Sequence, residues 1–237
     1  MLKRVLAGLA VLIVLALVAF GVWANMVMPG DREAALKVWN DTSVSVTSTD
    51  HSIVMTPSTG ESTDGLVFIP GAKVDPYAYM YKLSKMVEQG RTVVITKPTL
   101  NLAFFDSRPL DTFEADAPWV ENWAVGGHSL GGVKACMLAE DSNVTELVLL
   151  GSYCANDLSR TDLTVISYAG ANDGLSTPDM IADSAANLPP TTAFIEIAGA
   201  NHASFGDYGV QPGDGEATIS SAEMRDQLNW VVGIGTF

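Results

Sequence analysis

Cationic side chains and histidine are scarce in this sequence of 237 residues. The chain has 13 Lys and Arg against 27 Asp and Glu, which gives a net charge of −14 at pH 7. This excess of negative charge repels phosphate groups, so the composition argues against nucleic acid as a partner. The 3 histidines have no second ligand at helical spacing. We therefore expect no metal site and no cofactor.

Cysteine is also scarce, with only Cys136 and Cys154 present. Their spacing is not that of a zinc site. Two interpretations remain open for them, namely a disulfide formed in an oxidising compartment and two buried free thiols.

Charge is absent from residues 5–24, which follow Lys3 and Arg4. At 1.5 Å per residue, a helix of this length spans about 30 Å, the hydrocarbon thickness of a bilayer. The preceding cations predict a cytoplasmic N-terminus and an exported body. We favour a retained anchor over a cleaved signal peptide, because signal peptides usually have apolar cores of only about 7–15 residues. The expectation is a single-pass protein of the cell membrane with an extracytoplasmic domain, and the alternative is a secreted protein.

The sequence predicts three segments along the chain. Residues 1–24 are the transmembrane anchor or an uncleaved signal, and residues 25–42 are a juxtamembrane segment with a short helix around 33–39. Residues 43–237 are enough for one domain with a sizeable core.

Short apolar runs recur along this domain and are typical of strands buried on both faces. They cover 66–69, 93–95, 123–125, 147–150, 165–168 and 193–197. Helix start signals lie between them, at Asp75-Pro76, Thr177-Pro178 and Ser220 with Glu223. Alternating residues near 44–46 and 53–55 predict a leading antiparallel hairpin. We predict an α/β fold with a mostly parallel, doubly wound sheet.

A serine lies at the centre of the glycine-rich segment 126–132, directly after the apolar run 123–125. The pattern G-x-S-x-G between a strand and a helix is typical of a nucleophile elbow, whose sharp turn exposes the serine hydroxyl above the sheet. A hydroxyl is a weak nucleophile and needs a base with a group that orients it. We therefore predict Ser129 as the nucleophile in hydrolysis of an acyl bond.

The predicted acid is Asp173, which directly follows the apolar run 165–168. The catalytic groups of open α/β sheets gather at the carboxyl ends of the strands, where a carboxylate orients an imidazole. An Asx turn is the structural alternative for the Asn-Asp-Gly segment at 172–174, and Asp157 is the alternative acid.

The predicted base is His202, which follows the run 193–197. We expect His51 to lie far from this sheet edge, and His128 to be a structural neighbour whose ring points away from the serine hydroxyl. The order Ser129, Asp173, His202 is characteristic of α/β-hydrolases.

The backbone N–H of Leu130 and one from the loop after the early strand are expected to form the oxyanion hole. Ala72, in the segment 70–73, is the predicted second donor. Lys73 either places a cation near the site or is solvated.

Only 43 residues separate Ser129 from Asp173, which leaves no room for a large cap domain. Segment 101–118, with Phe104, Phe105 and Phe113, is the longest stretch free to cover the site. An open site with this modest cover favours small or medium esters.

Acidic and turn-forming residues follow the predicted base, among them Asp207 and Asp214 in segment 205–215. This segment is either a rim that shapes substrate access, a rigid cluster of turns or a weak cation site. We favour the cluster of turns.

Several segments together resemble the alpha/beta hydrolase fold-5 family. They are 69–76, 126–132, 201–209 and 211–215, within a similarity that extends over about residues 44–235. The resemblance implies a serine hydrolase with Ser129, Asp173 and His202 as its triad, and it implies no particular substrate. The family is related to dienelactone hydrolases, which use a cysteine where this chain has serine.

The sequence thus predicts a carboxylesterase-like serine hydrolase that acts on a small-molecule ester. Two alternatives remain, a non-catalytic surface binding protein on the same fold and an acyltransferase.

Overall fold

An eight-stranded sheet runs through the part of the chain that this computed structural model describes, residues 2–140, 143–160 and 162–229. The strands are β1 (Val44–Ser48), β2 (Ser52–Pro57), β3 (Asp64–Ile69), β4 (Thr92–Thr96), β5 (Asn122–His128), β6 (Val144–Leu150), β7 (Thr164–Gly170) and β8 (Ala193–Ile197). Their spatial order is β1-β2-β4-β3-β5-β6-β7-β8. β1, β2 and β4 pair antiparallel, and all pairs from β4 to β8 are parallel. The predicted fold class, with its leading hairpin, is confirmed.

Helices lie on both faces of this sheet. Helix α1 (Leu2–Ala24) packs on neither face, and the helices around the sheet are α2 (Arg32–Trp39), α3 (Met80–Glu88), α4 (Asp111–Glu114), α5 (Leu130–Leu138), α6 (Pro178–Asp183) and α7 (Ser221–Gln227). The sheet separates two hydrophobic cores, and successive residues of β3 point into them in turn. Leu66 and Phe68 pack with α3 and α7 in one core, whereas Val67 and Ile69 pack with α5 in the other. Because side chains of a strand alternate between faces, one apolar run fills both cores.

The predicted start signals begin the helices as expected. Asp75 accepts the Tyr77 N–H at 3.0 Å and opens a short 3₁₀ turn, Pro76–Tyr79, that leads into α3. Thr177 caps α6, and Ser220 forms a capping box with Glu223 at the start of α7. These caps satisfy backbone donors that the first turn of a helix leaves free.

Helix α1 lies outside both cores, and only its last residue, Ala24, is buried. It is 23 residues long and contains an 18-residue window with a mean hydropathy of 3.0, so it is long and apolar enough to span a membrane. A signal sequence shares these properties.

Cys136 in α5 and Cys154 after β6 form a disulfide, with their Cα atoms 5.5 Å apart. Of the two interpretations of the cysteines, the disulfide is therefore the one present. It fastens the helix that follows Ser129 to the loop that follows the next strand of the sheet.

The direction of β2 corrects one expectation. Because β2 is antiparallel to β4, its first residue, Ser52, pairs with Thr96 at the carboxyl end of β4. The Lys97 N–H also donates to the His51 carbonyl at 2.7 Å. The expectation that His51 lies far from the carboxyl edge is therefore wrong. Its Nε2 lies 3.0 Å from Asp116 Oδ2, so His51 has a carboxylate partner of its own.

Candidate active site

The turn between β5 and α5 has the sharp geometry of an elbow. Ser129 at its apex has φ 53° and ψ −127°, a strained conformation that non-glycine residues rarely adopt outside functional sites. Small neighbours make the turn possible, because a Cβ at Gly131 would lie 2.2 Å from the Ile69 carbonyl oxygen. A Cβ at Gly127 would similarly lie 2.4 Å from the Gly131 backbone. The glycines at these two positions thus allow the close approach of strand, turn and helix.

Asp173 and His202 are in direct contact. Nδ1 of His202 lies 2.8 Å from Oδ2 of Asp173, and the two side chains are 1% and 0% exposed. The other oxygen of Asp173 accepts the N–H groups of Leu175 and Ser176, at 2.8 and 2.7 Å. The Asx turn proposed as an alternative is therefore present, but it uses Oδ1 and leaves Oδ2 for the imidazole. The ring nitrogen of His202 that Asp173 does not engage is Nε2.

Ser129 lies at the same sheet edge as this pair. Its N–H donates to the Leu150 carbonyl at 3.1 Å, at the end of β6. At the next residue, Gly151, a Cβ would lie 3.1 Å from Asp173 Oδ2. His128, immediately before the serine, has its ring centroid 4.4 Å from that of His202. The fold thus brings the elbow and the Asp173–His202 pair together from three different loops.

Asp157, the alternative acid, is exposed and accepts the Ser159 N–H at 3.0 Å. Hydrogen bonds from the side chain and the backbone N–H of Ser159 hold the pKa of Asp157 below its usual value. His202 takes Asp173 as its partner instead.

His128 links the loop after β3 to the loop after β8. The Gly71 N–H donates to the Tyr79 hydroxyl oxygen at 2.9 Å, and that hydroxyl lies 2.9 Å from His128 Nδ1. His128 Nε2 lies 3.1 Å from the His202 carbonyl oxygen. Because a carbonyl only accepts, Nε2 carries the hydrogen and the Tyr79 hydroxyl donates to Nδ1. Burial, together with nearby His202, holds the pKa of His128 well below its usual value, so the ring is neutral.

Asp214 fixes the backbone around His202, the predicted base. We call residues 198–215, after β8, the base loop. Oδ1 of Asp214 accepts the N–H groups of Gly174 at 3.2 Å and His202 at 3.0 Å, and Oδ2 accepts the Ala203 N–H at 2.9 Å. One carboxylate therefore holds the base loop against the loop that carries Asp173. This supports the cluster-of-turns interpretation of the segment.

Asp207 binds a buried lysine on the far side of the base loop. Lys82, 1% exposed, places Nζ 2.6 Å from Asp207 Oδ1 and also donates to the Ser221 carbonyl. Burial lowers the pKa of Lys82, and Asp207 opposes that shift. A cavity of about 580 Å³ borders this pair, and neither Ser129, Asp173 nor His202 lines it. We therefore do not assign this cavity to the substrate.

The loop after β3 lies against the elbow, as an oxyanion hole requires. The close approach of Gly131 to the carbonyls of Ile69 and Pro70 places the start of α5 beside this loop. Leu130 is the first residue of α5, and Ala72 lies two residues beyond Pro70. The role of their N–H groups remains a prediction.

The side chain of Lys73 lies against the end of α1. Its Nζ is 4.1 Å from the centre of the Trp23 ring, an attractive cation–π contact. Lys73 is thus neither fully solvated nor bound to the predicted catalytic side chains.

Segment 101–118, which we expected to cover the site, contains one buried and two exposed phenylalanines. Phe113 is 4% exposed and packs in the core beside α5. The expectation that it is free to cover the site is wrong, because its ring completes that core. Phe104 and Phe105 are 49% and 52% exposed.

A mostly parallel sheet with a serine on the turn between its fifth strand and the next helix is the architecture of an α/β-hydrolase. The sequence profile of the alpha/beta hydrolase family matches residues 65–226, more than half of the chain, and the chain belongs to that family. No curated protein matches the sequence significantly. Membership supports a hydrolase-type function.

Proposed function

We propose that this protein is a serine hydrolase that cleaves carboxylic esters, with Ser129 as nucleophile, His202 as general base and Asp173 as the group that orients the base. The observation that carries the proposal is the buried 2.8 Å contact between His202 Nδ1 and Asp173 Oδ2, at the same sheet edge as the elbow serine. A carboxylate in this position fixes the imidazole tautomer and stabilises its protonated form.

The reaction proceeds in two balanced steps. Ser129 Oγ forms a bond to the acyl carbon while its proton passes to His202 Nε2, and the ester C–O bond breaks as that proton moves to the leaving alcohol. Water then attacks the acyl-enzyme, gives its proton to His202, and releases the acid with the Ser129 hydroxyl restored. The N–H groups of Leu130 and Ala72 stabilise the negative oxygen of each tetrahedral intermediate.

The proposal includes a membrane anchor and an extracytoplasmic domain. Ala24, at the end of α1, is fully buried against the domain, which supports a retained helix. The disulfide between Cys136 and Cys154 supports an oxidising compartment, where such bonds persist. The intact mass of protein purified from membranes tests retention, since cleavage removes the whole apolar segment.

The test of the reaction is hydrolysis of p-nitrophenyl acetate by the full chain in detergent micelles. Ser129→Ala is expected to lose about 10³-fold or more in kcat, because only the oxyanion hole and binding remain. Ser58→Ala, at an exposed serine, is the matched control and is expected to retain full activity. Equal turnover by wild type and Ser129→Ala would contradict the proposal. Absence of turnover by wild type would favour the non-catalytic alternative.

A further inference from the structure

Aromatic and aliphatic side chains are exposed together where α1 meets the domain. We call this surface the aromatic patch, and it consists of Trp23, Leu100, Phe104 and Phe105, which are 49%, 36%, 49% and 52% exposed. The Phe105 ring centroid lies 5.5 Å from that of Phe20 in α1, in an edge-to-face arrangement. The patch therefore continues the apolar surface of the helix.

The end of α1 is fastened to the domain at this patch. The Asn101 side-chain amide donates to the Ala24 carbonyl at 3.1 Å, and Lys73 places its ammonium over the Trp23 ring. A tryptophan at the end of an apolar helix, with a lysine beside it, is typical of a membrane–water interface. These contacts fix the orientation of the domain relative to the helix.

The contact between Phe20 and Phe105 sets the depth of the patch. Phe20 lies one turn, about 6 Å, before the end of α1. With α1 across a bilayer, Phe105 lies at the level of that last turn, where lipid tails meet head groups. The domain then faces the membrane with the aromatic patch.

The patch is joined to the predicted oxyanion loop. The Lys73 N–H donates to the Asn101 carbonyl at 2.8 Å, and the Met28 N–H donates to the Lys73 carbonyl at 2.7 Å. Lys73 directly follows Ala72, the predicted oxyanion donor. The loop beside Ser129 is thus held by the residues that contact α1.

We propose that the aromatic patch rests in the bilayer that α1 spans, and that the site accepts amphiphilic acyl esters from that membrane surface. This inference rests on the proposed esterase function and on a retained anchor. It differs from the expectation of small or medium esters, because it assigns to the site esters whose acyl chains partition into lipid.

The activity test uses the full chain in neutral phosphatidylcholine vesicles with two fluorogenic esters, 4-methylumbelliferyl oleate in the bilayer and 4-methylumbelliferyl acetate in solution. The double variant Phe104→Ser/Phe105→Ser is expected to lose about tenfold in kcat/KM on the oleate, because apolar contact with lipid is lost. Its kcat/KM on the acetate is expected to change less than about twofold. Phe194→Ser, at a 47% exposed phenylalanine of β8, is the matched control and should match wild type on both esters. An equal loss on both esters, or no loss on either, would overturn the inference.

A second measurement is independent of activity. Phe105→Cys carrying an environment-sensitive fluorophore is expected to be quenched strongly by brominated lipids, whereas Phe194→Cys with the same label is not. Equal quenching at the two positions would overturn the inference while leaving the esterase proposal intact. Quenching of the label at position 105, in vesicle-bound protein whose wild type hydrolyses neither ester, would instead contradict the esterase function.

Discussion

The two sides of the candidate site are built differently. On one side, the base loop is held by buried polar contacts: Asp214 accepts backbone N–H groups of the loops around Asp173 and His202, and His128 contacts the His202 carbonyl. On the other side, the aromatic patch exposes Phe104 and Phe105 on one short 3₁₀ turn, Ala103–Phe105. Under the function that we propose, rigid hydrogen bonding positions the reacting groups, whereas the exposed apolar surface determines where the substrate comes from.

The largest expected effect is on the polar side. Asp173→Asn keeps the size of the side chain but places an amide where His202 Nδ1–H needs an acceptor, so the imidazole adopts the wrong tautomer. We expect kcat to fall by about 10⁴-fold on both soluble and membrane-borne esters. Steady-state kinetics measure this, with the exposed Asp157→Asn as the control that retains activity. A loss of kcat below tenfold would show that the Asp173–His202 contact does not position the reacting groups.

Asp214 tests how much the support of the base loop contributes. Asp214→Ala removes the acceptor of several N–H groups and lets the His202 backbone move, and displacement of a catalytic group by about 1 Å costs up to about 10²-fold. We expect kcat to fall by about 10- to 100-fold with KM for the soluble acetate nearly unchanged. The exposed Asp50→Asn is the control. A change in KM alone would place Asp214 in substrate binding.

The pH dependence of stability tests the buried imidazole of His128. Its pKa in the folded state is lowered below the unfolded value of about 6.5, so the unfolded chain binds a proton that the folded chain does not. The stability contributed by the neutral ring is complete above about pH 6.5 and declines as the pH falls, by up to about 1.4 kcal/mol per pH unit.

Denaturant titrations at pH 7 and pH 5.5 measure this slope in wild type and in His128→Asn, which has no titrating ring. The titratable groups that face the ring are Tyr79, Tyr208 and His202. An identical decline in both proteins would show that His128 does not cause it.

The smallest expected effect is on the aromatic side. Leu100 has φ 56°, a conformation that costs a branched side chain of the order of 1 kcal/mol and that glycine adopts freely. Leu100→Gly is therefore expected to raise the free energy of unfolding by up to about 1 kcal/mol while lowering turnover of the vesicle-borne oleate. Denaturation and vesicle kinetics on one preparation check both parts. Unchanged turnover would show that Leu100 is not part of the membrane-facing surface.

Local patterns were sufficient to predict much of the fold. Each apolar run lies within an observed strand. Burial on both faces explains the runs of the inner strands, but the expectation of such burial is wrong for 193–197, because β8 is an edge strand and four of its five residues are exposed. The caps at Asp75, Thr177 and Ser220 act within three residues, so the sequence itself contains both partners. The elbow was equally local, since its glycines surround Ser129.

Contacts between distant loops were harder to predict. The edge on which His51 lies depends on the direction of β2, and alternation does not specify direction. Asp214 lies 40 residues from its partner Gly174, and Tyr79 lies 49 residues from His128. Such pairs form only when the strand order is complete, so no spacing rule reveals them. An acidic residue among turn formers after a predicted base was the one available signal for Asp214.

The central claim is that Ser129 is the nucleophile activated by the Asp173–His202 pair. Its most direct test is to treat the folded full chain with a fluorophosphonate and map the adduct by peptide mass spectrometry. We expect one phosphonyl group, on Ser129, formed far more slowly in His202→Ala and absent from Ser129→Ala. An adduct on another residue, or equal labelling of Ser129→Ala, would contradict it.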